Sequence, residues 1–210
     1  LLDLSSSILA ILIGRGIVTA VNRYHFDSQN DSDQDRVWWT GFTFLALVAT
    51  TVVIPAWIWR HPLSNILLGS TQSHGAYYVA LIVGTLWFNT MSEIPAIYLR
   101  VRQWSGLFVG LSLTFLLLNA GLNIVLLIVF KLGIEGIILG NCVISSVRMV
   151  ILSTVFVRVR GPYVIHWPLM RQLWVYGAPI IVTALLSLVM HQADRYLLSF
   201  FIDLHAVGIY

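Results

Sequence analysis

Two uncharged apolar runs, Val37 to Trp59 and Ser105 to Phe130, are each long enough to cross a lipid bilayer. The hydrocarbon core of a bilayer is about 30 Å thick, which a helix of about 20 residues spans. The whole chain has the same character, since 58% of its 210 residues are hydrophobic and 10% are charged. This composition lies outside the usual range of soluble domains. The sequence therefore predicts an all-α, polytopic transmembrane helix bundle.

Six spans are predicted along the chain. They lie at about 4–24, 37–59, 75–99, 105–130, 134–157 and 174–201. The first resembles a secretory signal peptide, but Arg15 interrupts its apolar stretch and no small-residue cleavage site follows, so we expect a true span. Segment 167–174 alternates apolar and polar residues ahead of the last span, which indicates a short interfacial helix.

Basic residues in the connections alternate between the two sides of the predicted bundle. The richer side carries Arg23, Arg36, Arg100, Arg102, Arg158, Arg160 and Arg171, and the poorer side carries Arg60 and Lys131. By the positive-inside rule the richer side is cytoplasmic. The pattern predicts a multi-pass protein of the cytoplasmic (inner) cell membrane, with the bilayer as its first partner and with the amino end of the chain outside.

Several functional classes lack their sequence signatures. The single Cys142 lies in an apolar helix, which excludes a disulfide framework and a cysteine metal site, so no metal or cofactor is expected. The arginines lie near segment ends and form no patch of the nucleic-acid-binding type, so no nucleic-acid partner is expected. We find no nucleophile elbow, His-Glu-x-x-His motif, paired loop carboxylates or phosphate-binding glycine motif, and we therefore expect no enzyme.

Polar residues recur at helical spacing inside the apolar segments, which places them on one face of each helix. The stripes contain Arg15, Thr19 and Asn22; Thr85, Asn89 and Glu93; Ser112, Asn119 and Asn123; Asn141, Ser145 and Arg148; and Thr183, Ser187, His191, Asp194 and Arg195. Isolated Ser, Thr and Asn residues also join membrane helices by hydrogen bonds, so packing is an alternative explanation of each stripe. Pairs of small residues allow close helix contacts as well, and Gly106 with Gly110 and Gly136 with Gly140 match that pattern.

Charged residues at membrane depth carry more information, because an Arg or Asp near a helix centre costs about 2.5–3.5 kcal/mol. Arg15 and Arg148 lie too deep in their spans to reach the surface easily, and Arg195 lies in the outer half of its own. Three arginines that face a shared cavity would suit a multiply charged anion.

The acids and the histidine at depth are open to two interpretations. Glu93, two residues before Pro95, could titrate during transport or form a structural ion pair, and the same holds for Asp194. His191 belongs to the side-chain type that titrates near neutral pH, so it could relay protons or pack through a hydrogen bond.

A family resemblance is carried by the carboxyl-terminal segment YGAPIIVTALLSLVMHQADRYLLSFFIDLHAVGIY. It resembles the seventh helix of the polysaccharide biosynthesis (O-antigen flippase-like) family, within the multidrug, oligosaccharidyl-lipid and polysaccharide exporter superfamily. The most specific element is ADRYLLS followed by AVGIY, from Ala193 to Tyr210, although Ile202 and Asp203 stand where the family usually has Leu-Gly. Weaker similarity to the fourth to sixth helices runs through IYLRVRQWSGLFVGLSLTFLLLNAGLNIVLLIVFKLGIEGIILGN.

The resemblance implies part of a two-lobe, alternating-access transporter, with helices two to seven of the family. It places an amino-terminal bundle of about five helices at 1–160, a cytoplasmic linker with the interfacial helix at 161–175, and the truncated first helix of the second bundle at 176–210. Because the chain begins at Leu1 rather than Met and ends just after an apolar segment, we also expect a fragment that is inactive alone.

The function implied by the resemblance is translocation of a polyprenyl-diphosphate-linked oligosaccharide or polysaccharide repeat unit across the cytoplasmic membrane. The expected partners are the lipid-linked substrate and polysaccharide polymerase or assembly proteins. Arg15, Arg148 and Arg195 would bind the diphosphate through charge-assisted hydrogen bonds. The cavity and coupling candidates are Glu93, Asp194, His191, Asn89, Asn119, Asn123 and Asn141.

Three other functions stay open at this point. A cation-coupled multidrug exporter of the same superfamily would favour acidic and aromatic cavity groups over arginines. A membrane glycosyltransferase or polymerase subunit would need a large loop with paired carboxylates. A purely structural scaffold would pair its deep charges completely and leave no cavity.

Overall fold

The computed structural model describes residues 8–28, 30–68, 75–159 and 163–201, with side chains described within 8–28, 30–64, 75–159 and 163–190. The described residues form helices and no strands, which confirms the predicted all-α class in this part of the chain. The helices are α1 (Gly16–Asp27), which follows a π-helical turn Ile11–Arg15, α2 (Asp31–Ile58), α3 (Arg60–Leu68), α4 (Gly75–Val101), α5 (Ser105–Ile124), which runs on into a π-helical turn Val125–Val129, α6 (Ile134–Val159) and α7 (Trp167–Phe201).

Four helical segments are long and apolar enough to cross a membrane. They are Asp31–Ile58, Ser105–Val129, Ile134–Val159 and Trp167–Met190. The two remaining predicted spans correspond to α1 with its preceding turn and to α4. Helix α4 has 27 residues and is long enough to span a bilayer, but Asn89 and Glu93 interrupt its apolar sequence.

The start of α7 differs from the prediction. Residues 167–174 are the first turns of one continuous helix rather than a separate interfacial helix. The buried residues of this helix follow a single stripe, at Met170, Leu173, Gly177 and Ile181. That stripe packs against α1 and α2 without a change of face, so the helix has no break between these first turns and the last span. Helix α3 is a second difference from the prediction, since the sequence analysis placed no helix at Arg60–Leu68.

The predicted cytoplasmic connections meet at one end of the bundle, which we call the basic end. Consecutive long helices run in opposite directions, and three fully buried rings tie α2, α4 and α6 together there. The Trp38 and Tyr98 ring centroids are 5.2 Å apart, and those of Tyr98 and Phe156 are 5.3 Å apart. The backbone N–H of His166 donates to Thr40 Oγ1 at 3.1 Å, which fixes the chain ahead of α7 to α2.

Helix α5 lies at the edge of the bundle, between tight turns at which Gln103 and Gly133 have φ of 58°. Its inner side contacts α6, where a methyl group added at Gly136 would lie 3.1 Å from Leu126 Cβ. A methyl group added at Gly140 would lie 2.5 Å from Asn123 Oδ1. The predicted close contact is therefore confirmed for Gly136 with Gly140.

The other predicted glycine pair makes no such contact. Around Gly106 and Gly110 no described atom lies within 4 Å of an added methyl group. Both glycines belong to the outer side of α5, whose large apolar residues are exposed as expected for a surface that faces lipid chains. The prediction is wrong for this pair, because the spacing of small residues does not show which side of a helix has a neighbour.

Helices α1 and α7 approach each other closely enough for their backbones to touch. A methyl group added at Gly177 would lie 2.8 Å from the carbonyl carbon of Gly16 and 2.9 Å from its oxygen. The contact is between backbones, so a side chain at either position would need the helices to move apart. Since Gly16 follows Arg15 directly, this crossing also fixes the height at which Arg15 sits in the bundle.

Candidate functional site

A cavity of about 700 Å³ lies between α4, α5 and α6, and we call it the amide cavity. Its polar lining consists of Thr85, Asn89, Ser112, Asn119, Asn123, Asn141, Ser145 and Arg148. These are the polar stripes of the third, fourth and fifth predicted spans, with the exception of Glu93. All four predicted cavity asparagines therefore line one space, together with one of the predicted substrate arginines.

The helical spacing explains how short apolar segments build this lining. Asn119 and Asn123 lie one turn apart on α5, and Asn123 Nδ2 donates to Asn119 Oδ1 at 3.4 Å. The Asn123 Oδ1 atom is buried and has no hydrogen-bond partner within the described part of the chain. An unmet buried acceptor costs about 1–3 kcal/mol. This oxygen lies against Gly140 of α6, so a small movement of the two helices would be needed to open it to the cavity.

Arg148 supplies the positive charge of the amide cavity. It is half-buried on α6 and lines the cavity beside Asn141 and Ser145. A guanidinium group presents five N–H donors in a rigid fork, which fits phosphate and carboxylate groups in a bidentate manner. The cavity thus combines one anion-binding group with several amides that can both donate and accept hydrogen bonds.

Glu93 lies one turn from the cavity residue Asn89 on α4 and is half-buried. Its carboxylate lies over Gly14 of the π-helical turn, because a methyl group added there would be 3.1 Å from Glu93 Oε2. Three positively charged side chains lie close enough to attract this carboxylate electrostatically, namely Arg15, Arg148 and Arg100. Within the described residues, no ion pair or hydrogen bond closer than 4.0 Å joins Glu93 to any of these three arginines.

Arg15 occupies a different place from the one predicted. It is exposed on the first helix and is absent from the lining of the amide cavity, to which Arg148 belongs. Both arginines instead lie within electrostatic range of the same carboxylate, Glu93, Arg15 from the π-helical turn and Arg148 from α6. The reason is the tight crossing at Gly16, which directs the adjacent face of the first helix towards α7 rather than towards α5 and α6.

The remaining predicted site residues are His191, Asp194 and Arg195. They lie in the helical backbone of α7, but their side chains fall outside the described residues. The family motif of Ala193 to Tyr210 falls in the same region or beyond it.

Sequence reasoning missed the roles of two charged groups on the helices that build the site. Arg100, which the sequence analysis assigned to a cytoplasmic turn, lies within electrostatic range of both Glu93 and Arg148. Arg100 follows Glu93 by seven residues, or two helical turns, so the sequence could have shown that the two side chains share one face of α4. Glu135 accepts a hydrogen bond from the Tyr78 hydroxyl at 2.5 Å and joins α4 to α6 at the end opposite the basic end. This contact between distant residues had no sequence pattern to reveal it.

Comparison of the chain with protein-family models, with curated proteins and with solved structures finds no match. The family resemblance of the carboxyl-terminal segment therefore stays an expectation. The amide cavity and its charges are the features of the described residues that bear on function.

Proposed function

We propose that this chain is part of a membrane transporter that translocates a polyprenyl-diphosphate-linked oligosaccharide across the cytoplasmic membrane. The observation that carries the proposal is the amide cavity, in which polar stripes from three helices and Arg148 face the same space. In this proposal α1 and α4 also cross the bilayer, which gives about six spans with the basic end in the cytoplasm.

The chemistry of the cavity supports a sugar-bearing anion. Asparagine amides donate and accept hydrogen bonds and can follow the alternating hydroxyl groups of a sugar. Phe115 adds an apolar ring to the lining, and Arg148 suits a phosphate oxygen pair. A volume of about 700 Å³ lies within the range of small-molecule sites, about 300–1,000 Å³.

Replacing Arg148 with alanine tests the anionic part of the proposal. A hydrogen bond to a charged group contributes about 1.5–3 kcal/mol, so we expect transport to fall about 10- to 100-fold. The measurement is export of surface polysaccharide by cells that depend on the protein, at matched abundance in the membrane. Arg158→Ala is the matched control, because Arg158 lies on the same helix, is exposed and is absent from the cavity lining. Equal export by both variants would contradict the proposal.

A cation-coupled exporter is the second candidate, and Glu93 favours it as a half-buried acid without a close partner in the described structure. Glu93→Gln separates the two functions. If the substrate is an anion, removal of this negative charge near Arg148 removes a repulsion, and binding of undecaprenyl diphosphate to the purified protein should tighten several-fold. If the protein is a cation-coupled exporter, the same variant should lose transport because the acid that binds the coupling cation is gone, while Arg148→Ala should retain it.

A further inference from the structure

A second cavity, of about 820 Å³, lies at the basic end between α1 and α7, and we call it the interfacial groove. Its lining is Tyr24 from α1 and Pro168, Arg171, Gln172, Val175, Tyr176 and Pro179 from α7. The α7 residues follow the three- and four-residue spacing of one helix face. The groove shares no lining residue with the amide cavity and plays no part in the transport proposed above.

The lining of the groove changes from polar to apolar along α7. Arg171 and Gln172 lie towards the start of the helix, and Val175 and Pro179 lie one to two turns further into the span. Trp167 and Trp174 flank Arg171 on the same helix and are 70% and 45% exposed. Exposed indole rings mark the headgroup level of a bilayer. The polar part of the groove thus coincides with the headgroup level, and its apolar part faces the hydrocarbon.

Two arginines lie in or beside the groove, and they differ in whether other side chains of the described structure already contact them. Arg23 is already occupied, because its guanidinium carbon lies 4.4 Å from the centroid of the Tyr176 ring and its Nε lies 3.6 Å from Asp27 Oδ2. Arg171 is exposed and has no acidic partner within 4.0 Å in the described part of the chain. The stacked Arg23 holds Tyr176 in place beside Tyr24, whose ring centroid is 6.2 Å away. Arg171 is therefore the positive charge left for a ligand.

We propose that the interfacial groove binds an anionic phospholipid as a structural ligand. Its phosphate lies against Arg171 and Gln172, and one acyl chain follows Val175 and Pro179. An anionic phospholipid fits this groove because its phosphate matches the unpaired Arg171 at headgroup level and its acyl chain matches the apolar surface directly below. A soluble anion would leave that apolar surface uncovered, and a zwitterionic lipid would place its own ammonium group near Arg171.

Native mass spectrometry of the full chain in mild detergent tests this proposal. Phosphatidylglycerol and phosphatidylethanolamine with identical acyl chains are titrated separately, and we expect about tenfold tighter binding of phosphatidylglycerol. Arg171→Ala should remove this preference, and Arg171→Lys should keep most of it because the charge remains. Arg158→Ala is the control, since Arg158 is another exposed arginine at the basic end and does not line the groove.

Three results would overturn the proposal. The first is equal binding of the two lipids by the unmodified chain, and the second is an equal loss of preference in Arg158→Ala. The third is displacement of phosphatidylglycerol by inorganic phosphate or by undecaprenyl diphosphate at lower concentration than by phosphatidylglycerol itself. A soluble phosphate would then be the ligand, or the groove would admit the transported lipid.

Discussion

Trp38→Ala is expected to lower the free energy of unfolding by about 3 kcal/mol, which is near the lower end for removal of a buried tryptophan. Trp38 is fully buried at the basic end and contacts the Tyr98 ring, and its indole N–H donates to His25 Nδ1 at 3.1 Å. Lipid also shields apolar surface, so the loss comes from the empty cavity, the ring contacts and the hydrogen bond rather than from exposure to water. Titration with sodium dodecyl sulfate, followed by circular dichroism, measures the change.

Trp57→Ala is the matched control for this change. Trp57 is 55% exposed near the end of α2 and borders no enclosed core, so its removal leaves no void. We expect its free energy of unfolding to stay within about 1 kcal/mol of that of the unmodified chain. A similar loss in both variants would mean that the three-ring contact at the basic end does not stabilise the bundle.

Gly177→Ala is expected to destabilise the contact between α1 and α7 by about 2 kcal/mol, as is typical when one methyl group is forced into a packed interface. The added methyl group would meet the carbonyl carbon of Gly16 at 2.8 Å, and a helix backbone cannot turn aside as a side chain can. The helices would have to separate along their length. Thermal unfolding in detergent can be followed by maleimide labelling of Cys142, the single cysteine, which is half-buried in α6.

Gly110→Ala provides the comparison for the glycine contact. It makes the same substitution within a long helix, but open space surrounds the new methyl group among the described residues. Alanine also favours helix more than glycine does, by about 1 kcal/mol, so this variant should label no earlier than the unmodified chain. If Gly177→Ala unfolds at the same temperature as Gly110→Ala, the backbone contact at Gly16 is not as close as described.

Much of the architecture follows from periodicity in the sequence. Apolar runs give the long helices, and the four-residue spacing within each stripe gives the face on which each amide lies. The spaced pairs are Thr85 with Asn89, Asn119 with Asn123, and Asn141 with Ser145. Amides buried in separate apolar helices favour facing one another, because lipid offers them no hydrogen bonds. That argument predicts that polar stripes face one another, as the three stripes of the amide cavity do.

Periodicity within one helix does not determine which helices become neighbours. Arg15 has the depth and spacing of a cavity residue, yet the crossing at Gly16 and Gly177 turns its helix towards α7. The same limit explains the outcome for Gly106 and Gly110, which share the spacing of a contact pair and lie on the outer side of α5. Neighbour relations depend on contacts between distant residues, such as the hydrogen bond of Tyr78 with Glu135.

The π-helical turn Ile11–Arg15 changes how the first helix responds to a change in its length. This turn holds one residue more than an α-helical turn does. Deleting a single exposed residue in it, such as Leu12, would restore regular α-helical winding, because five residues of a π-helix advance about as far around the axis as four of an α-helix. The residues before the deletion would keep their faces, and Gly16 would stay against Gly177. The same deletion within the regular helix after Gly16 would rotate the preceding residues by about 100° around the helix axis.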